Sequence, residues 1–203
     1  MDHSATTKLT LAAMAMAGLI AVAGCGAPHY MRNDSRSPTT SQTPAAAAGG
    51  DTTTGESAPV SYTDTRYHYV IDAPGHMNAN ADGTASFIGP SERLEIAVVT
   101  GSSASDPAAL ASKDSTSLSV SAPGFHQLSN PATVTLNGHR VTKFTYTWNA
   151  GTSAVTGKPV ELTAVRYYVP KDSVTVAVIT YGIVSNQYDP QGADDLASTF
   201  KWQ

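Results

Sequence analysis

Cys25 is the only cysteine in a chain of 203 residues. It follows Val22-Ala23-Gly24, an aliphatic residue and two small ones. A thiolate is the best nucleophile available for alkylation, and small side chains let an extended backbone enter a peptidase cleft. These residue types suit alkylation of the sulfur and entry of the neighbouring backbone into a peptidase. A lone cysteine also excludes an intrachain disulfide framework and any Cys-rich zinc site.

The other reactive residue types are dispersed. His68, His76, His126 and His139 are far apart in sequence and show no i, i+4 pairing of the kind that places two ligands on one helix face. His139 flanks a turn and His68 alternates with Tyr67 and Tyr69, so solvated histidines are expected and no metal site. Glu92 and Glu95 flank Arg93, and Asp194 and Asp195 lie near the start of a helical pattern, where acids oppose the positive helix end. Solvent-facing carboxylates are the expectation for both clusters. The sequence contains no G-x-S-x-G elbow, phosphate-cradling Gly loop or H-E-x-x-H motif. No catalytic residue, cofactor or metal is therefore expected, and the protein is read as not an enzyme.

The segment ahead of Cys25 explains the thiol. Met1–Thr10 is short and polar, and Leu11–Ala23 is an apolar run of about 13 residues, the length of a signal-peptide core and too short to span a bilayer. Residues 1–24 are predicted to be a lipoprotein signal peptide, because Val22-Ala23-Gly24-Cys25 resembles the bacterial lipobox. That resemblance implies a diacylglyceryl group on Cys25 and a mature chain that begins there, held to the membrane by acyl chains. Two or three such chains anchor stably, at about 0.8 kcal/mol per buried methylene. The expected location is the extracytoplasmic face of a bacterial cell membrane. Residues 25–59, rich in Ser, Thr, Pro, Ala and Gly, hold little to bury and read as a disordered tether spanning roughly 30 Å r.m.s.. Charged residues are only 14% and the net charge is −4, which argues against nucleic acid as a partner.

Residues 60–203 carry the folded domain. "TVTLNGHRVTKFTYTW" places Asn137-Gly138 between two strand-like runs, a type I′ hairpin in which Leu136 faces His139 and Val134 faces Val141. Continued alternation puts Phe144, Tyr146 and Trp148 on one side and Lys143, Thr145 and Thr147 on the other. Either a bulge near Thr142 switches the faces, or both faces are covered. "VELTAVRYYV" and "SVTVAVITYG" are apolar on both sides and join at Pro170-Lys171-Asp172, so they are predicted to pair antiparallel; "RLEIAVV" is similarly two-sided. "RYHYVIDAP" and "GTASFIGP" read as shorter, edge-like strands. Helices are predicted after Asp106-Pro107 and Asp189-Pro190, each an N-cap followed by proline at the first helical position. In the second, Ala193, Leu196, Ala197 and Phe200 form the apolar stripe.

The predicted class is α+β, an antiparallel sheet of about six or seven strands flanked by helices. Phe144, Tyr146 and Trp148 form an aromatic stripe with Tyr168 or Tyr181. These aromatics read either as core beneath a helix or as a partner-binding face.

The order of elements resembles the PsbP-like fold, and more closely bacterial lipoproteins of the LpqN/LpqT type. "DAPG" at 72–75, the Gly-centred hairpin, "RYYVPKDSVTVAVITYG" and "DLASTFKW" at 195–202 carry the likeness. His76-Met77-Asn78 follows the Pro-Gly where many relatives have Trp. The resemblance implies an α/β/α sandwich and a non-catalytic module that binds a protein or envelope component. The alternative is a carrier holding a lipid or glycolipid in an apolar cavity between sheet and helix.

Overall fold

The computed structural model describes residues 59–153 and 156–203. The signal peptide, Cys25 and all of the tether but Pro59 lie outside the described residues. Two antiparallel sheets and two helices make up the fold. Strands β1 (Val60–Asp64), β2 (Tyr69–Ala73) and β11 (Lys201–Trp202) form a three-stranded sheet with β2 in the middle. The larger sheet contains β3 (Asn78–Ala79), β4 (Ala85–Ile88), β5 (Glu92–Thr100), β6 (His126–Gln127), β7 (Ala132–Leu136), β8 (His139–Thr152), β9 (Pro159–Asp172) and β10 (Thr175–Val184). Its order is β3-β4-β5-β10-β9-β8, with β6 and β7 both pairing along β8. Helix α1 (Pro107–Ser121) follows β5, and α2 (Pro190–Ser198) follows β10. Among the described residues no helix is long and apolar enough to cross a membrane.

Local chemistry sets these elements. Asp106 and Asp189 cap the two helices, each accepting backbone N–H groups from the two residues after the proline at distances of 3.0–3.1 Å. Asn137 and Gly138 sit at φ 48° and 80°, the left-handed pair that a type I′ turn demands. The register is the expected one, Leu136 opposite His139 and Val134 opposite Val141. The Asn137 amide also donates to the Ser198 carbonyl at 2.8 Å, which ties the hairpin to the end of α2.

The α+β class and the antiparallel pairing agree with the sequence reading, and two details differ. The segment "RYHYVIDAP" is not an edge of the main sheet: its residues 69–73 are the centre of the small one, with Tyr69, Ile71 and Ala73 buried beneath the large sheet. Its period-2 alternation already buries one face, and β1 supplies the second partner. The β9–β10 turn falls at Ser173-Val174 rather than at 170–172, and the Asp172 carboxylate accepts from the Val174 N–H at 2.8 Å. Pro170 stays within β9, where the pairing with β10 shifts register between Thr175 and Val176.

No register shift occurs near Thr142; β8 pairs continuously with β9 from Thr142 to Asn149. Both faces of the large sheet are instead covered. Val141, Val165, Tyr167, Ala177, Ile179, Leu94 and Ile96 face the small sheet and α2. Phe144, Tyr146, Ala164, Tyr168, Val176 and Val178 face α1.

Candidate functional site

Tyr167 and Tyr168 are adjacent on β9 and so point to opposite faces. Each hydroxyl reaches the helix on its own side. Tyr167 Oη donates to Asp194 Oδ1 of α2 at 2.8 Å, and Lys143 Nζ donates to both oxygens of the same carboxylate at 2.6 and 2.7 Å. Tyr168 Oη donates to Asp114 Oδ2 of α1 at 2.8 Å, and Arg166 Nη1 donates to the same oxygen at 3.2 Å. Arg166 Nε adds a bond to Thr180 Oγ1 at 3.0 Å. Each helix is thus clasped to the sheet by one Asp that meets a tyrosine and a strand cation. Asp194 is not the solvated acid of the sequence reading: it sits one turn into α2 on the side that faces the sheet. Burial raises the pKa of both tyrosines, and the hydrogen bond to the neighbouring carboxylate adds to the rise.

The α1 side of the sheet divides into a packed part and an open one. Register aligns side chains across the strands in rows: Phe144, Arg166, Thr180, Glu95 and Ser86 in one, and Tyr146, Ala164, Gly182, Arg93 and Ile88 in the next. Helix α1 lies over β8 and β9, and the cluster that it closes extends to Val176 and Val99. Beyond it, towards β5 and β4, Arg93, Glu95, Ala97 and Ser86 are only half-buried and Ile88 is 72% exposed.

The aromatic stripe straddles the boundary. Phe144 is 0% exposed and stacks with Tyr168 at 6.3 Å between ring centres; Tyr146 is 3% exposed and packs on Phe125. These two belong to the core under α1, the first of the two readings their sequence pattern allows and not the partner-binding face: a helix that packs on a sheet dehydrates the central strands first. Trp148 alone is half-buried. Its ring reaches across Ala164 to Gly182, where a Cβ would come within 2.7 Å of the indole. Glycine at 182 therefore lets the indole lie on the strand backbone at the border of the open corner. Tyr181 takes no part in the stripe, because it faces the other side and donates to Glu92 at 2.7 Å.

Glu95 is the residue that sequence reasoning undervalued. Glu92 and Glu95 are three apart and hence on opposite faces, a signal available from strand periodicity alone. Glu92 receives the Tyr181 hydroxyl, whereas Glu95 and Arg93 have no hydrogen-bond or ion-pair partner among the described residues. Partial burial raises the Glu95 pKa, outweighing the attraction of Arg166, and Asp82 adds to the rise. His68, His76, His126 and His139 are all exposed, and no three His, Cys, Asp or Glu side chains converge as ligands among the described residues.

No protein-family model matches the chain, and no curated protein matches it either. Several solved structures are similar at a coarse level, three of them as follows. A protein of Bacteroides thetaiotaomicron VPI-5482 aligns with 72% of this chain at TM-score 0.49 and 8% identity, and the chain spans 49% of that protein's length. PA94, a protein of unknown function from Pseudomonas aeruginosa, aligns with 64% of the chain and 85% of its own at TM-score 0.40 and 13% identity. LpqN of Mycobacterium tuberculosis, described as involved in cell envelope biogenesis, aligns with 70% of the chain and 80% of its own at TM-score 0.38 and 15% identity. At these scores the functional reading rests on the chain's own residues.

Proposed function

We propose that this chain is a lipid-anchored envelope protein whose domain is a non-catalytic binding module. The anchor rests on Val22-Ala23-Gly24-Cys25, the apolar run before it and the tether after it. The single observation that carries the binding role is the open corner of the large sheet. There Ile88 and Trp148 offer apolar surface beside the charges of Glu95 and Arg93, next to the cluster packed under α1. Aromatic and large apolar side chains at an uncovered face supply contact area for a partner.

The carrier reading requires a cavity between sheet and helix. Among the described residues, that space is filled by Phe144, Tyr146, Tyr168, Val176, Val178 and Leu110 on the α1 side. This packing favours a surface that binds over an interior that carries.

The anchor has a direct test. In a host that processes the signal, the chain is expected to incorporate an alkynyl palmitate analogue and to fractionate with membranes. Cys25→Ser is expected to abolish labelling and cleavage. Unchanged labelling of that variant sinks the anchor. The wild-type chain, solubilised gently from envelopes, is expected to migrate in a native gel as a complex larger than itself.

A further inference from the structure

The two resident helices show how this sheet recognises a helix. Each presents a carboxylate to a cation on a strand: Asp114 to Arg166 on one face, Asp194 to Lys143 on the other. In both cases the strand cation is half-buried and would be left unpaired without the helix. The open corner also holds charged groups, and no helix carries an opposite charge to them: Glu95 feels the attraction of Arg166 along its row without a direct bond. Glu95 and Arg93 lie two residues apart on β5 and face the same side as α1. Neither has a hydrogen-bond or ion-pair partner among the described residues. A half-buried carboxylate that no cation bonds directly keeps part of its desolvation cost, burial outweighing the attraction of Arg166, and an incoming cation lowers that cost.

The dimensions fit one helix. Helix α1 covers β8 and β9, so the corner runs from β10, where the Trp148 ring ends over Gly182, to Ile88 on β4. That is two strand spacings, about 10 Å, which matches a helix diameter of about 10–12 Å. Two residues along a strand advance roughly 6.7 Å, and one helical turn advances about 5.4 Å. A helix lying along the strands therefore brings side chains one turn apart over Glu95 and Arg93 in succession. Ile88 and Trp148 would flank its apolar stripe.

From these juxtaposed features we infer that the open corner seats an amphipathic helix of a partner protein, which presents a basic residue to Glu95 and, one turn away, an acidic residue to Arg93. The inference rests on the binding-module reading and names the site and the chemistry of the partner. It uses the helix-in-groove mode, in which an apolar face gives affinity and flanking charges give register.

The test uses the full lipidated chain in the envelope of its own host, with a benzophenone amino acid at Ile88 or, as control, at Val174. Val174 is 50% exposed in the remote β9–β10 turn. The expected result is an adduct from Ile88 with one protein, mapped to a helix that carries a Lys or Arg and an Asp or Glu one turn apart. Glu95→Arg is expected to cut the adduct at least tenfold, and Glu95→Gln to cut it less. Reversing the partner's basic residue to an acid is expected to restore the Glu95→Arg adduct. An adduct with lipid or with a second copy of this chain overturns the inference, as does a full yield from Glu95→Arg. Partner adducts from Val174 alone overturn the site and leave the binding module standing. No adduct from either position counts against both.

Discussion

Phe144→Ala is expected to lower stability by about 3–5 kcal/mol, the range for truncating a fully buried aromatic. Phe144 is 0% exposed, and its ring contacts Tyr146 and Tyr168 at centroid distances of 5.5 and 6.3 Å. Removing it opens a cavity beneath α1 where Leu110 and Ala111 close the cluster. At roughly 2–4 °C per kcal/mol for a domain of this size, the midpoint should fall by about 6–20 °C. The measurement is thermal unfolding followed by circular dichroism. The competing view, in which Phe144 is a contact for a partner, predicts an unchanged midpoint and weaker association. The two outcomes are opposite, so one melting curve separates them.

Alkaline unfolding is the second large effect. Tyr69, Tyr167 and Tyr168 are essentially fully buried, and burial raises the pKa of each above its value in the unfolded chain. Above about pH 10 the unfolded state releases these protons while the folded state keeps them, so the folded state binds more protons and stability falls as pH rises. Their full contribution is present below the unfolded value and is lost on the way up. Each group contributes a slope of about 1.4 kcal/mol per pH unit, so three together give about 4 kcal/mol per unit. A domain with about 5–8 kcal/mol of stability, the lower part of the ordinary range, should then unfold cooperatively between about pH 11 and 12. Tyrosinate absorbance and the circular dichroism signal are expected to change together. Tyrosinate that appears smoothly from pH 10 while the dichroism stays native would contradict the burial of these hydroxyls. Tyr167→Phe with Tyr168→Phe should flatten the slope, although each also removes a bond to a helix carboxylate.

These effects arise from features of unequal legibility. The 137–138 hairpin and both helix starts were readable because each is set by chemistry within about four residues: a turn that needs two positive φ values, and an Asp capping the N–H groups just after it. Strand β1 was hidden, since "VSYTD" has one half-buried tyrosine and continues the polar composition of the tether. Strands β3, β6 and β11 are two residues each and carry no period at all. The helix clasps were invisible for a different reason. Lys143 and Asp194 lie 51 residues apart, and Arg166 and Asp114 lie 52 apart, so each pair exists only once the sheet and its helices are assembled. The alternation that placed Phe144, Tyr146 and Trp148 on one face was correct, but it does not say how far along that face a helix reaches. Helix α1 ends before Trp148 is covered, and that boundary divides core from candidate site.

The binding role of the open corner stands most directly on Ile88, which is 72% exposed and makes no contribution to the buried clusters. The measurement is the native-gel migration of full-length Ile88→Glu from solubilised envelopes, paired with its melting midpoint. The account predicts a midpoint within about 1–2 °C of wild type, because exposed substitutions shift stability by less than about 0.5 kcal/mol. It also predicts loss of the large complex, with the chain running as a free lipoprotein. A variant that keeps the wild-type complex, or a wild-type chain that already runs alone, would contradict a binding module that works through this corner.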